Sequence, residues 1–214
     1  MDEEISIINS KTRTEKMKNF LLENKKLLIS ILVFLVLFLI SFYSFQIYKN
    51  NQKELISDKY NNATTNIDKS DPSRIVSELK EVIDYRDSTY SPLALYFIID
   101  NKLLDNQDEI NELFDVLINK TSLEEEIKNL IIYKKALFNA DNVNENQLLK
   151  ILNPLINSQS VWKSHALYLM AEYFYSNNEK QKSREFYNQI LLTENANQDI
   201  IKEAQKRLNR DLSD

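Results

Sequence analysis

The sequence predicts an all-α protein: one membrane-spanning helix near the N-terminus, followed by an α-α solenoid of stacked helical hairpins. Three observations carry this. Residues 27–48 form an uncharged, strongly apolar run. The chain has 214 residues, of which none is glycine and three are proline. Beyond residue 70, apolar side chains recur at helical spacing, and similar segments return after 37 and 35 residues.

The apolar run reads LLISILVFLVLFLISFYSFQIY, from Leu27 to Tyr48. A helix rises 1.5 Å per residue, so roughly 20 apolar residues cross the ~30 Å hydrocarbon core. Sixteen of these side chains are Leu, Ile, Val or Phe. At ~0.3–0.6 kcal/mol each near a helix centre, insertion is favoured by several kcal/mol. A cleaved signal peptide fits less well. Its apolar region is shorter and ends in a small-x-small site, whereas this run continues into Phe42, Tyr43, Phe45 and Tyr48.

Orientation follows the bias of basic residues. Arg13, Lys16, Lys18, Lys25 and Lys26 precede the span, and Lys49, Lys53 and Lys59 follow it. The expectation is a cytoplasmic tail over 1–26, a transmembrane anchor over 27–48 that contacts the lipid bilayer, a stalk or linker helix over 49–70, and a translocated repeat domain over 71–214. Lys16 to Leu22 has the spacing to extend the membrane helix by an amphipathic turn or two. Two readings stand for the tail: a docking peptide, or a flank that sets topology. Two also stand for 49–66: a rigid extension of the membrane helix, or a polar linker.

The absent glycine shapes the rest. Glycine is the default where the backbone needs positive φ or must approach a ligand closely. Phosphate-binding loops, dinucleotide turns and nucleophile elbows are excluded with it. Helices joined by short polar turns remain easy to build, and the chain has 25 Asn, a residue that tolerates the left-handed conformation ending many helices.

Asp71-Pro72 reads as an N-cap followed by proline at the first helical position, ahead of Ile75, Leu79, Val82 and Ile83. Ser91-Pro92 is expected to open the next helix in the same way. Ser122 and Glu125 have capping-box spacing before Ile127, Leu130 and Ile131. The Glu124–Glu126 run suits a helix N-terminus, where the macrodipole favours negative charge. Further helices are expected near 145–158, 161–177, 179–193 and 198–211, with Pro154 breaking or bending the first of them.

Three segments align without gaps: Leu95-Tyr96-Phe97-Ile98-Ile99-Asp100, Ile132-Tyr133-Lys134-Lys135-Ala136-Leu137 and Leu167-Tyr168-Leu169-Met170-Ala171-Glu172. A period in the mid-thirties is that of a helix–turn–helix repeat, whose hairpins must stack to bury their apolar faces. The third unit resembles a tetratricopeptide repeat, with Leu167, Met170, Ala171 and Phe174 on its first helix and Ser183, Tyr187 and Ile190 on its second. The layout as a whole, together with Trp162 leading VWKSHALYLMAEYFYSNNEKQKSREFY, resembles the bacterial inner-membrane family of tetratricopeptide-like ancillary subunits of the SecYEG translocon. That resemblance implies a cytoplasmic N-terminus, a periplasmic repeat domain, and translocon subunits or exported and unfolded polypeptides as partners.

No catalytic chemistry is expected. His165 is the only histidine and there is no cysteine, so a Cys/His or multi-His metal site is excluded, and no cofactor is implied. From residue 49 onwards 21 Lys/Arg stand against 27 Asp/Glu, with no basic stripe for nucleic acid. A repeat domain binds through the surface of its first helices, which places Tyr96, Tyr133, His165, Tyr168, Glu172 and Tyr175 in a candidate protein-binding groove. Tyrosine offers a large contact area with one polar handle. The other reading of these tyrosines is packing between helices. At the level of function, a translocon-associated module or periplasmic chaperone stands beside a scaffold for an envelope or cell-division complex. The first would capture many unfolded chains, the second a few folded partners.

Overall fold

The computed structural model describes residues 15–65 and 71–212. The expectations for Arg13 and the rest of 1–14, for 66–70 and for 213–214 lie outside the described residues. Among those described there is no strand. The helices are α1 (described over 15–23), α2 (Lys25–Thr65), α3 (Pro72–Asp84), α4 (Tyr90–Asp100), α5 (Gln107–Lys120), α6 (Glu125–Asn139), α7 (Glu145–Ile156), α8 (Lys163–Ser176), α9 (Lys180–Leu191) and α10 (Gln198–Asp211). The chain divides into two compact units, one ending at Leu55 and one beginning at Ile56.

In the first unit, α2 contains the apolar run, and it is the one described helix long and apolar enough to cross a membrane. Within the run, Leu28 is partly covered and the other large apolar side chains are exposed, from Val36 at 48% to Phe34 at 68%. A buried core helix of the same composition would have these values near zero, so packing within the chain does not account for the run. The helix continues unbroken through residues 49–65. Its final turns belong to the second unit, where Ile56 and Ala63 are buried and Lys59 pairs with Glu81 at 2.6 Å.

The second unit is built by succession. From α3 to α10 each helix packs on the next, and α3 also packs on α5, α6 on α8 and α8 on α10. The core accordingly forms three successive clusters. The first runs from the end of α2 to Ile131 of α6 and centres on Leu79, Leu95, Ile98 and Phe114. The second joins α6, α7 and α8 through Ala136, Leu148, Leu152 and Met170. The third joins α8, α9 and α10 through Leu167, Ala171, Tyr187 and Ala204. Two helices are shared between clusters. On α6, Ile131 faces the first while Ile132 and Ala136 face the second. On α8, Ala166, Met170 and Phe174 serve the second while Leu167 and Ala171 serve the third. These helices are apolar on two faces because neighbours cover both, whereas α3, α5, α7, α9 and α10 carry a single apolar stripe.

Helix ends are closed without glycine. Asp71 caps α3 by accepting from the Arg74 amide at 3.1 Å, and Asn106 caps α5 through the Glu109 amide at 3.2 Å. At the C-termini, Arg86, Lys102, Asn178 and Asn195 take positive φ between 50° and 62°. Lys102 and Asn178 each complete a six-to-one closure: Leu103 N–H donates to the Ile98 carbonyl at 3.0 Å, and Glu179 N–H to that of Phe174 at 2.9 Å. Two lysine or arginine residues therefore occupy a conformation that costs a side-chain-bearing residue about 1 kcal/mol.

Three expected boundaries differ. Ser91 does not cap α4: the helix begins at Tyr90, Asp87 accepts from the Thr89 and Tyr90 amides at 2.8 Å each, and the buried Ser91 hydroxyl donates to the Val82 carbonyl at 2.9 Å. An Asp upstream captures the free amides first, which releases the serine to close the end of α3. Ser122 and Glu125 form no capping box, because α6 starts at Glu125 with Glu124 in the cap position. The reciprocal box lies at Asn144 and Gln147 instead, opening α7. Pro154 lies inside α7, which ends two residues later at Ile156. A prolyl nitrogen cannot donate to the carbonyl four residues back, which favours an end to the helix close by rather than at the proline itself.

Candidate polypeptide-binding surface

The six residues singled out in the sequence fall into three places. Tyr96, on α4, is half-buried with its ring under the Lys134 ammonium at 4.2 Å. Its hydroxyl is buried without a hydrogen-bond partner, and burial pushes its pKa up to about 12.

Tyr133 on α6 and His165 on α8 meet, and Trp162 completes the group. The Tyr133 and Trp162 rings stack at 5.7 Å and 24°. The imidazole lies 5.0 Å from the indole and 5.8 Å from the phenol, edge-on to the latter. All three are half-buried, and Val161 beside them is 63% exposed. Nδ1 of His165 is buried without a partner. Burial lowers the imidazole pKa, with the Val161 carbonyl pulling weakly the other way, so the ring is neutral at physiological pH. The group is thus a half-buried aromatic cluster whose exposed edges suit apolar and aromatic side chains of a partner.

Tyr168, Glu172 and Tyr175, further along α8, belong to a different assembly. Glu172 accepts from the Tyr187 hydroxyl of α9 and from the Arg207 guanidinium of α10. Tyr168 meets the Tyr187 ring edge-on at 5.6 Å, and Arg207 lies over Tyr175 at 5.3 Å while also pairing with Asp211 at 2.9 Å. Arg210 and Arg207 hold the Asp211 carboxyl well below its usual pKa, and burial together with Glu172 raises that of Tyr187. These side chains clamp α10 onto α8 and α9, and the two oxygens of Glu172 are both engaged within the chain. All three are partly exposed and make these contacts within the chain.

A second feature was not singled out from the sequence. An open groove of about 650 Å³ lies between α5, α6 and α7, lined by Ile118, Ile132, Val143 and Ile151 among amide and charged side chains. At its base Asn139, 2% exposed, exchanges hydrogen bonds with Asn111 at 2.7 and 2.9 Å, accepts from Gln107 at 3.2 Å and donates to the Lys135 carbonyl at 2.7 Å. Asn139 sits seven residues after Ile132, on the apolar stripe of α6. A polar residue at that register is the signal that marks it.

Among the described residues no group of three or more His, Asp or Glu could hold a metal ion. No known protein family matches this chain, and neither a curated protein nor a solved structure is detectably similar to it.

Proposed function

We propose that the chain is a membrane-anchored protein-interaction module that holds exported or unfolded polypeptides beside the translocon of a bacterial inner membrane. In this reading α2 is the anchor, the N-terminus is cytoplasmic and the helical stack is periplasmic. The pairs α4–α5, α6–α7 and α8–α9 are tetratricopeptide-like hairpins. Support for the hairpin reading comes from α6 and α8, which are apolar on two faces as first helices of stacked repeats must be. The orientation rests on the basic residues Lys16, Lys18, Lys25 and Lys26 ahead of the span.

The observation that carries the binding function is the half-buried aromatic surface of Tyr133, Trp162 and His165. It is neutral and rich in aromatic contact area. Tethering raises the local concentration of such a surface, so each contact can be weak.

The test uses the full chain in nanodiscs and a fluorescently labelled, permanently unfolded polypeptide, with anisotropy as readout. Replacing Tyr133 and Trp162 together with Ala should weaken binding by about tenfold or more, with the helical circular dichroism unchanged. Equal binding by the folded variant would sink the proposal. Orientation is tested separately, since the chain has no native cysteine. Single cysteines at Ser10 and Ser213 would be probed with an impermeant maleimide in cells with an opened outer envelope. Labelling at 213 alone supports a periplasmic stack, and labelling at 10 alone refutes it.

A further inference from the structure

We infer that α1 is an interfacial helix that lies on the anionic headgroup surface at the membrane entry of α2. The inference rests on the reading of α2 as a membrane span.

The first observation is the distribution of side chains around α1. At about 100° per residue, Phe20, Met17 and Leu21 fall in one arc roughly 100° wide. Lys16 borders that arc on one side and Lys18 on the other. Glu15, Asn19 and Glu23 occupy the opposite face. Met17, Phe20 and Leu21 are 62%, 57% and 50% exposed. Leu22 is the exception to the pattern: it lies between Lys18 and Glu15 on the polar side and is exposed. An apolar stripe flanked by lysines with carboxylates behind it is the arrangement a membrane surface selects. The stripe enters the acyl boundary, the lysine stems run along it to the headgroups, and the acids stay in water.

The second observation is the junction. Asn24 belongs to neither helix. Its amide donates to the Phe20 carbonyl at 3.0 Å, and the Leu28 amide donates to its carbonyl at 2.9 Å. Between them the amides of Lys25, Lys26 and Leu27 make no backbone bond to the preceding turn. The Asn24 side chain also donates to the Phe20 carbonyl at 2.9 Å, as the asparagines that end α4, α7 and α8 do to theirs. The ladder is therefore interrupted immediately before Leu27, where the apolar span begins. A helix that must turn from the membrane normal into the membrane plane requires its break at that point. Lys25 and Lys26 follow the break, so four lysines stand against two glutamates over residues 15–26. That excess selects anionic lipid headgroups over neutral ones.

The experiment places a nitroxide on single cysteines at positions 15, 17, 19, 20, 21 and 23 of the full chain in nanodiscs. Accessibility to oxygen, which partitions into acyl chains, is compared with accessibility to a water-soluble nickel chelate. A label at Leu35 serves as control. In discs containing anionic phosphatidylglycerol, oxygen should win at 17, 20 and 21 and the chelate at 15, 19 and 23, with a several-fold contrast. Lys16→Glu combined with Lys18→Glu, or purely zwitterionic discs, should reduce that contrast. Equal water accessibility at all six positions, with Leu35 shielded, overturns the inference and leaves the membrane span standing. A contrast indifferent to both lipid charge and the lysine substitutions overturns the anionic-headgroup assignment. Exposure of Leu35 to the chelate overturns the membrane reading itself.

Discussion

Replacing Arg207 with Ala should release α10 while leaving the aromatic surface of α6 and α8 intact. The side chain of Arg207 is 21% exposed and that of its partner Glu172 27%. Exposed pairs contribute about 0.2–1 kcal/mol, and loss of one partner from a buried pair costs about 3–5 kcal/mol. A contact about three-quarters buried and open at one edge falls between, at about 1–2 kcal/mol. The guanidinium over Tyr175 at 5.3 Å adds about 0.5–1 kcal/mol. The sum is about 2 kcal/mol, and 1.36 kcal/mol is a factor of ten, so the population of locally opened α10 should rise roughly thirtyfold. Amide hydrogen exchange of the full chain in nanodiscs reads this directly, because local opening sets the exchange rate of the α10 amides. Arg210→Ala is the control: Arg210 bonds Asp211, the other carboxylate paired with Arg207, at 2.6 and 2.7 Å but is 57% exposed, and α10 exchange should change by about fivefold at most by the surface-pair rule. If Arg207→Ala accelerates α10 no more than Arg210→Ala does, the clamp is not what holds the last helix.

Phe114→Ala should destabilise the second unit by about 3–5 kcal/mol, because the ring is 1% exposed and packs on Phe138 at 6.0 Å; a shift in the urea midpoint worth under 1 kcal/mol would contradict its central place in the first cluster. Lys102→Gly should stabilise by about 1 kcal/mol, since the residue sits at φ 50°, a gain visible in thermal melts and absent if the closure is strain-free. His165 gives a pH dependence of defined sign. Its folded pKa is lowered, so its contribution is fully present above the unfolded value of about 6.5 and is lost as pH falls towards and through the folded one. The native chain should therefore lose stability on acidification from pH 7 to 5 more than His165→Gln does, and parallel curves would remove the effect from this residue.

Helix placement was largely legible from the sequence because amphipathic spacing and punctuation are local. The Asp71-Pro72 start, the 198–211 helix and the buried register of Ser183, Tyr187 and Ile190 all appear where the pattern puts them. The misplaced caps share one cause. Several Ser, Asp and Asn side chains compete for each set of free amides, and the choice depends on loop geometry: Asp87 outcompetes Ser91, and Asn144 closes a box with Gln147. The site was legible only in part. Aromatic residues of helix α8 were identifiable, but their allegiance was not. Tyr168 and Tyr175 turn towards α9 and α10, whereas His165 turns towards Tyr133, a difference set by which neighbour covers which side of one helix.

By itself the sequence determined the chain's class: apolar residues at helical spacing select helices, the absence of glycine disfavours loops that need positive φ, and an uncharged run of twenty-two residues needs a non-aqueous surrounding. These are properties of single segments and of water. Only the tertiary structure decided that Glu172 is an internal ligand of Arg207 and Tyr187, that Asn139 anchors an amide network beneath a groove, and that Trp162 joins Tyr133 and His165. Apart from Trp162 and His165, which are near neighbours, those pairings bring together residues 15 to 35 positions apart. Their partners are chosen by the stacking of successive helices, which no segment encodes alone.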